Sequence, residues 1–144
     1  MKISTKGRYA LRVMADIALH DDGESYVSLR DIAGRQGITV KYLEQIIPLL
    51  SRAGYLKSAR GTAGGYRLTR APEQYTVGDI LRVMESSLAP VACLEGTAEA
   101  CPRSQQCRTL ALWQGLDKVI HDYLESVTIA DLIEQCPVGD DYVI

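Results

Sequence analysis

At 144 residues, with 47% hydrophobic and 24% charged side chains, the chain can pack one domain with an appendage and is too apolar for intrinsic disorder. No apolar run is long enough to cross a bilayer and no signal-peptide core follows the basic start, Met1 to Lys6, so a cytoplasmic protein is expected, whose cysteines serve metals or redox sensing rather than disulfides. The net charge of −2 argues against a nucleic-acid partner until the chain is divided: residues 1–70 carry 12 Lys or Arg against 6 Asp or Glu, and residues 71–144 carry 4 against 12. A basic first half is the electrostatic footprint of a phosphate-binding face.

The first helix is predicted over Gly7 to Leu19, where Ala10, Val13, Met14 and Ile17 recur at helical spacing and Lys6, Arg8 and Arg12 lie off the stripe. Asp21-Asp22-Gly23-Glu24 reads as a loop. Ser28 caps a short second helix, with Asp31 placed to answer it, that carries Leu29, Ile32 and Ala33 and stops near Gly34. Thr39 caps a third helix, from Lys41 to about Arg52. Pro48 inside it removes a backbone donor and should bend or shorten it, and Gly54 is its natural stop. Tyr55–Arg60 and Tyr66–Thr69 are strand-like, and the glycines between them make a hairpin. A fourth helix is predicted from Val77 to Glu85. Ser86 to Arg108 has no period and holds Pro90, Pro102 and three cysteines, which marks a loop with a purpose. A long helix follows from Thr109 to Ser126; Trp113, Leu116, Ile120, Tyr123 and Val127 on it are spaced alternately three and four apart, as in a heptad seam. Thr128 to Glu134 reads as a short helical coda before a tail.

The predicted fold is mainly α with a small β-hairpin wing: a winged helix-turn-helix plus a long dimerisation helix. It divides into a DNA-binding domain (1–86), a cysteine-bearing sensor loop (87–108), a dimerisation helix with a short terminal helix (109–134) and a tail (135–144). The second and third helices, joined by a short turn containing glycine, make the helix-turn-helix, whose second helix can reach base edges in the major groove. Thr39, Lys41, Tyr42, Glu44 and Gln45 would offer it hydroxyl, ammonium, phenol, carboxylate and amide groups, and Glu44 can accept from cytosine N4. Arg60, beside Gly61 at the shoulder of the hairpin, is placed to enter a narrow minor groove. Lys2 and Ser28 complete the candidate DNA-binding residues. The seam on the long helix favours a homodimer on a two-fold symmetric, pseudo-palindromic double-stranded operator. No nucleophile–base pair, phosphate loop or paired carboxylates point to an enzyme.

Cys93, Cys101 and Cys107 fall in one connection, with seven and five residues between them, and Cys136 stands apart. Such a set suits a soft metal or an iron–sulfur cluster; a zinc or thiol sensor, or a small electron-transfer or cluster-transfer protein, uses the same residues.

The run Met1-Lys2-Ile3-Ser4-Thr5-Lys6-Gly7-Arg8-Tyr9-Ala10-Leu11, then Asp31-Ile32-Ala33, Gly37-Ile38, Tyr42-Leu43-Glu44-Gln45-Ile46 and Arg60-Gly61 with Gly64-Gly65-Tyr66, resembles the Rrf2 family of bacterial regulators, the IscR, NsrR and CymR group, up to Leu132. The resemblance implies a dimeric winged-helix repressor or activator, expected here as a repressor, with Thr39, Lys41, Tyr42 and Glu44 at base-contacting positions and Arg60 and Gly61 in the wing. It also implies an iron–sulfur cluster, [2Fe-2S] or [4Fe-4S], on the three cysteines, or sensing through a partner protein in members without one. Leu110 stands where cluster-bearing members place a histidine and Arg8 where others place an acid, and the first cysteine interval is two residues longer than usual. A fourth ligand is left open among Glu95, Glu99, Asp16, Cys136, a small molecule and water. His20 and His121 read as surface residues of helices.

Overall fold

In a computed structural model, whose described residues are 1–96 and 101–135, α1 (Thr5–Leu19) begins two residues ahead of the predicted start. The cause is Ser4, whose hydroxyl accepts the Gly7 N–H at 3.0 Å and so satisfies one of the unpaired donors of the first turn. Ala10, Val13, Met14 and Ile17 are fully buried, as the periodicity requires. α2 (Leu29–Gln36), α3 (Val40–Arg52), α4 (Val77–Met84), α6 (Ile129–Gln135) and the hairpin all pack on α1, which makes it the central beam of the fold.

α2 runs through Gly34, where it was expected to stop. The stop is Gly37, which takes the left-handed conformation (φ 63°) and lets the Ile38 N–H reach the Ala33 carbonyl at 3.2 Å. Ile38 drops into the core, and Thr39 starts α3 by accepting the Tyr42 N–H at 3.1 Å. Pro48 is exposed and the helix continues through it to Arg52, so the predicted shortening does not occur. The end falls as expected: Gly54 is left-handed (φ 81°), and the Tyr55 and Gly54 N–H groups close on the Leu50 and Ser51 carbonyls, both at 3.0 Å.

β1 (Leu56–Ala59) and β2 (Gly65–Leu68) pair antiparallel, in register from Leu56 opposite Leu68 to Ala59 opposite Gly65. Val27 adds a third edge, exchanging backbone hydrogen bonds with Tyr66 at 2.9 and 2.8 Å. The approach is so close at Gly65 that any Cβ would collide with the Val27 carbonyl, which explains a glycine there.

Past the hairpin, a 3₁₀ turn (Pro72–Gln74) delivers Tyr75 into the core, a residue the sequence pattern did not single out. Its phenol accepts the Thr69 and Arg70 N–H groups at 3.1 and 2.9 Å and donates to the Tyr55 carbonyl at 3.1 Å. Its ring meets Tyr55 edge to face at 5.4 Å. Thr76 and Asp79 then form a capping box for α4.

α5 (Leu110–Ser126) buries none of its residues. Its C-terminal end is held to α4: Arg82 pairs with Glu125, the Glu125 carboxylate accepts from the Thr76 hydroxyl at 3.1 Å, and Val77 N–H reaches the Val127 carbonyl at 2.8 Å. The Arg82 guanidinium holds the Glu125 carboxyl below its ordinary value. Directly after, α6 turns back onto α1 and places Ile129 in the same core as Met14 and Ile80.

Tyr75→Phe should destabilise the domain by about 1–3 kcal/mol, because it leaves the Arg70 N–H without its partner and the Thr69 N–H and Tyr55 carbonyl with only their mutual 3.3 Å bond, at a part-buried position. Urea unfolding checks this, with the midpoint moving at constant slope.

Candidate nucleic-acid interface and cysteine loop

The reading head is set by contacts from one side of α1. Asp16, 2% exposed, would be intolerable as an isolated charge. It accepts from Arg35 Nε and Nη2 at 3.0 and 2.7 Å and from Gln36 Nε2 at 2.9 Å, both at the end of α2. One turn back, Arg12 reaches the Gln36 side chain at 3.1 Å and also its carbonyl. A further turn back, the Tyr9 ring, with the Arg12 guanidinium 5.1 Å above it, meets the Tyr42 ring edge to face at 5.4 Å. Tyr9, Arg12 and Asp16 thus grip the end of α2 and the start of α3, on either side of the Gly37 turn. Asp16 thereby directs both carboxylate oxygens at the end of α2.

On α3 the structure separates the expected contact residues. Thr39, Lys41, Glu44 and Gln45 are exposed, whereas Tyr42 is half-buried against Tyr9. Ser28 is half-buried, with its hydroxyl accepting the Asp31 N–H at 3.1 Å. Arg60 and Gly61 are exposed at the tip of the hairpin, where Gly61 is left-handed (φ 101°) and its carbonyl accepts the Gly64 N–H at 3.0 Å. Lys2 is exposed just ahead of α1. Sequence reasoning passed over Val40, an exposed apolar side chain between Thr39 and Lys41.

Glu85, at the end of α4, ties the cysteine connection to α1. Its carboxylate accepts the Ser4 N–H at 2.9 Å and the Ser4 hydroxyl at 2.6 Å, over Gly7, where a Cβ would strike it. The Met1 ammonium donates to the Pro90 carbonyl at 3.3 Å. Cys93 lies on a 3₁₀ turn (Ala92–Leu94) and is exposed; Cys101 and Cys107 are half-buried, and all three are free thiols. The Thr109 hydroxyl, 3.4 Å from Cys107 Sγ, and backbone N–H groups at the start of α5 hold that thiol below its ordinary value. Three thiols in one connection are a donor set suited to a soft metal, yet among the described residues no three His, Cys, Asp or Glu side chains gather into a metal-holding group. Glu99 and Cys136 lie outside the described residues. Leu110 begins α5 with an apolar side chain, and Glu95 is exposed. His20 is exposed and its Nδ1 lies 2.8 Å from the Asp16 carbonyl, while His121 faces a small pocket with Asp117, Ser87 and Leu94.

The expected dimer seam divides as well. Leu116 and Tyr123 are exposed, but Trp113, Ile120 and Val127 are half-buried. The exposed apolar stripe of α5 is instead Leu112, Leu116, Val119 and Tyr123.

Six helices and a two-stranded antiparallel sheet among the described residues, with the second and third helices set around a left-handed glycine, define a winged helix-turn-helix protein. A family model for Rrf2, described as an iron-dependent transcriptional regulator, matches residues 3–135. The protein rrf2 of Nitratidesulfovibrio vulgaris is 43% identical over 140 residues, which cover 95% of this chain and 92% of that one. Among solved structures, CymR, the global cysteine regulator of B. subtilis, superposes with a TM-score of 0.75 at 40% identity, covering 93% of this chain and 97% of the other. T. potens IscR gives 0.70 at 41% identity, covering 93% and 87%. The chain belongs to the Rrf2 family, a family of DNA-binding transcription regulators and not of enzymes. No helix among the described residues is long and apolar enough to cross a membrane.

A double-mutant cycle of Tyr9→Leu with Tyr42→Leu should return a coupling of about 0.5–1.5 kcal/mol in urea unfolding. Strictly additive losses would mean that the two rings do not act as a pair.

Proposed function

We propose that the chain is a cytoplasmic homodimeric repressor that binds a pseudo-palindromic DNA duplex and is controlled through Cys93, Cys101 and Cys107. The observation that carries this reading is one surface of the basic half: Thr39, Lys41, Glu44 and Gln45 exposed on a capped helix, beside a glycine-tipped hairpin that exposes Arg60. In the proposed complex α3 lies in the major groove, Glu44 accepting from a cytosine amine and Lys41 and Gln45 reaching neighbouring edges, while Arg60 enters the adjoining minor groove. Lys2 supplies a phosphate contact. Ser28 and Tyr42 contribute by fixing the helices that bear the readers.

The reading of a second copy is supported by α5, which buries nothing yet exposes Leu112, Leu116, Val119 and Tyr123 in one stripe. A helix of 17 residues is marginal in isolation, and pairing two such stripes about a two-fold axis covers both. Trp113, Ile120 and Val127 flank that seam.

Cys93, Cys101 and Cys107 would hold an iron–sulfur cluster, in keeping with the family's description as iron-dependent. Bound there, it would supply a redox-active, reagent-sensitive centre. The chain's own residues carry the consequence: Glu85 and Pro90 fasten the start of the connection to the first turn of α1, and α1 bears Tyr9 against Tyr42. The lowered thiol of Cys107 favours a second reading, in which the cysteines sense oxidants directly without a metal.

Duplexes enriched from a random pool by the native protein should be pseudo-palindromic, and Glu44→Ala combined with Arg60→Ala should weaken binding to them on the order of tenfold or more. Undiminished affinity in the double variant would refute the docking. Protein purified anaerobically should carry iron and sulfide in near-equal amounts and lose them in Cys93→Ala, Cys101→Ala and Cys107→Ala. A native protein that stays colourless after reconstitution would move the reading to direct thiol sensing.

A further inference from the structure

Val40 opens α3 as a residue 40% exposed, and among the described residues it is the one exposed large apolar residue on α2, α3 or the hairpin. Single exposed apolar residues are ordinary, and what distinguishes this one is its place. Leu43, Ile46, Ile47 and Leu50 of the same helix turn into the core, and Tyr42 turns to Tyr9. The row left on the free flank is Val40 followed by Glu44, four residues apart and therefore on one face of the helix. Both neighbours of Val40, Thr39 and Lys41, are exposed, so the whole first turn is open to a partner. Neither core packing nor helix propensity calls for a β-branched apolar residue here, since Ala, Lys or Glu would serve the helix better.

The major groove presents one apolar group, the 5-methyl of thymine; every other base-edge group there is a hydrogen-bond donor or acceptor. The two methyls of valine can cover it, and neither side then loses a hydrogen bond to water. Residues four apart on a helix face are separated by about 6 Å, which is one to two base steps of roughly 3.4 Å. We propose that Val40 is a specificity-determining residue that recognises the 5-methyl group of a thymine one or two base pairs from the base read by Glu44. This inference rests on α3 being the DNA-reading helix.

The test uses the full-length protein and a duplex that it enriches from a random pool. Each thymine is replaced in turn by deoxyuridine, which removes the methyl and nothing else, and the series is measured with native protein and with Val40→Ala. Ala is a better helix former than Val and the position is outside the core, so the variant keeps the fold. One thymine per half-site should show a penalty of about fourfold in Kd with native protein, the value for one methyl group removed from water. That penalty should vanish in Val40→Ala, while Glu44→Ala should leave it in place. A flat deoxyuridine series, or a penalty that persists unchanged in Val40→Ala, would overturn the methyl contact and leave the reading head intact. Failure of the native protein to enrich any duplex would overturn both.

Discussion

A carboxylate removed from water must be paired and hydrogen-bonded, and the geometry of this molecule follows from how Asp16 meets that requirement. Its partners, Arg35 and Gln36, lie in the last turn of α2, immediately before the glycine that turns the chain into α3. The requirement therefore fixes the end of one helix and, through a three-residue connection, the start of the next. Ile32, Ile38 and Leu43 supply the apolar attraction between these helices, but such contacts are non-directional. The polar and aromatic grip of Asp16, Arg12 and Tyr9 supplies direction, and so sets the angle at which α3 leaves the turn.

The opposite end of the same beam is occupied by the connection that bears the cysteines. Glu85 sits over the first turn of α1, where a negative charge is favoured by the unpaired N–H groups and by the helix dipole. Ser4 is thus shared: its hydroxyl caps α1 and donates to Glu85, and its N–H is bound by the same carboxylate. α5 is fastened to α4 near its last turns, through Glu125 and Val127, and its middle, at Asp117, Ile120 and His121, shares a small pocket with Ser87 and Leu94.

Much of this was legible in the sequence, because its signals were local. Ser28 and Thr39 capped the helices they were expected to cap, the α1 stripe was the buried one, and the glycine-rich hairpin formed where the residue types changed. Features that depend on distant partners were not legible. Gly34 and Gly37 are both plausible stops, and only the burial of Ile38 selects the second. That Tyr42 also packs against Tyr9 was hidden, because the partner ring lies 33 positions earlier and could not be seen from its own helix. Asp16, a lone acid inside the stripe of Val13, Met14 and Ile17, was itself a signal of a buried pair. On α5 Leu116 and Tyr123 of the predicted seam are exposed while Trp113, Ile120 and Val127 are half-buried, a split that depends on how the helix joins α4 at Glu125.

The order of elements has a consequence for synthesis. Ile129 fills the same core as Met14, Ile38 and Ile80, yet it follows α5 in the chain, so the winged-helix core is sealed by a residue made after that long helix. A fully buried isoleucine contributes on the order of 2–5 kcal/mol, a large share of the stability of a small domain. During translation the N-terminal helices therefore emerge without their final partner and cannot complete this core on their own. By the time this core is complete, α5 has already been made, and a nascent chain never presents a finished winged helix without it.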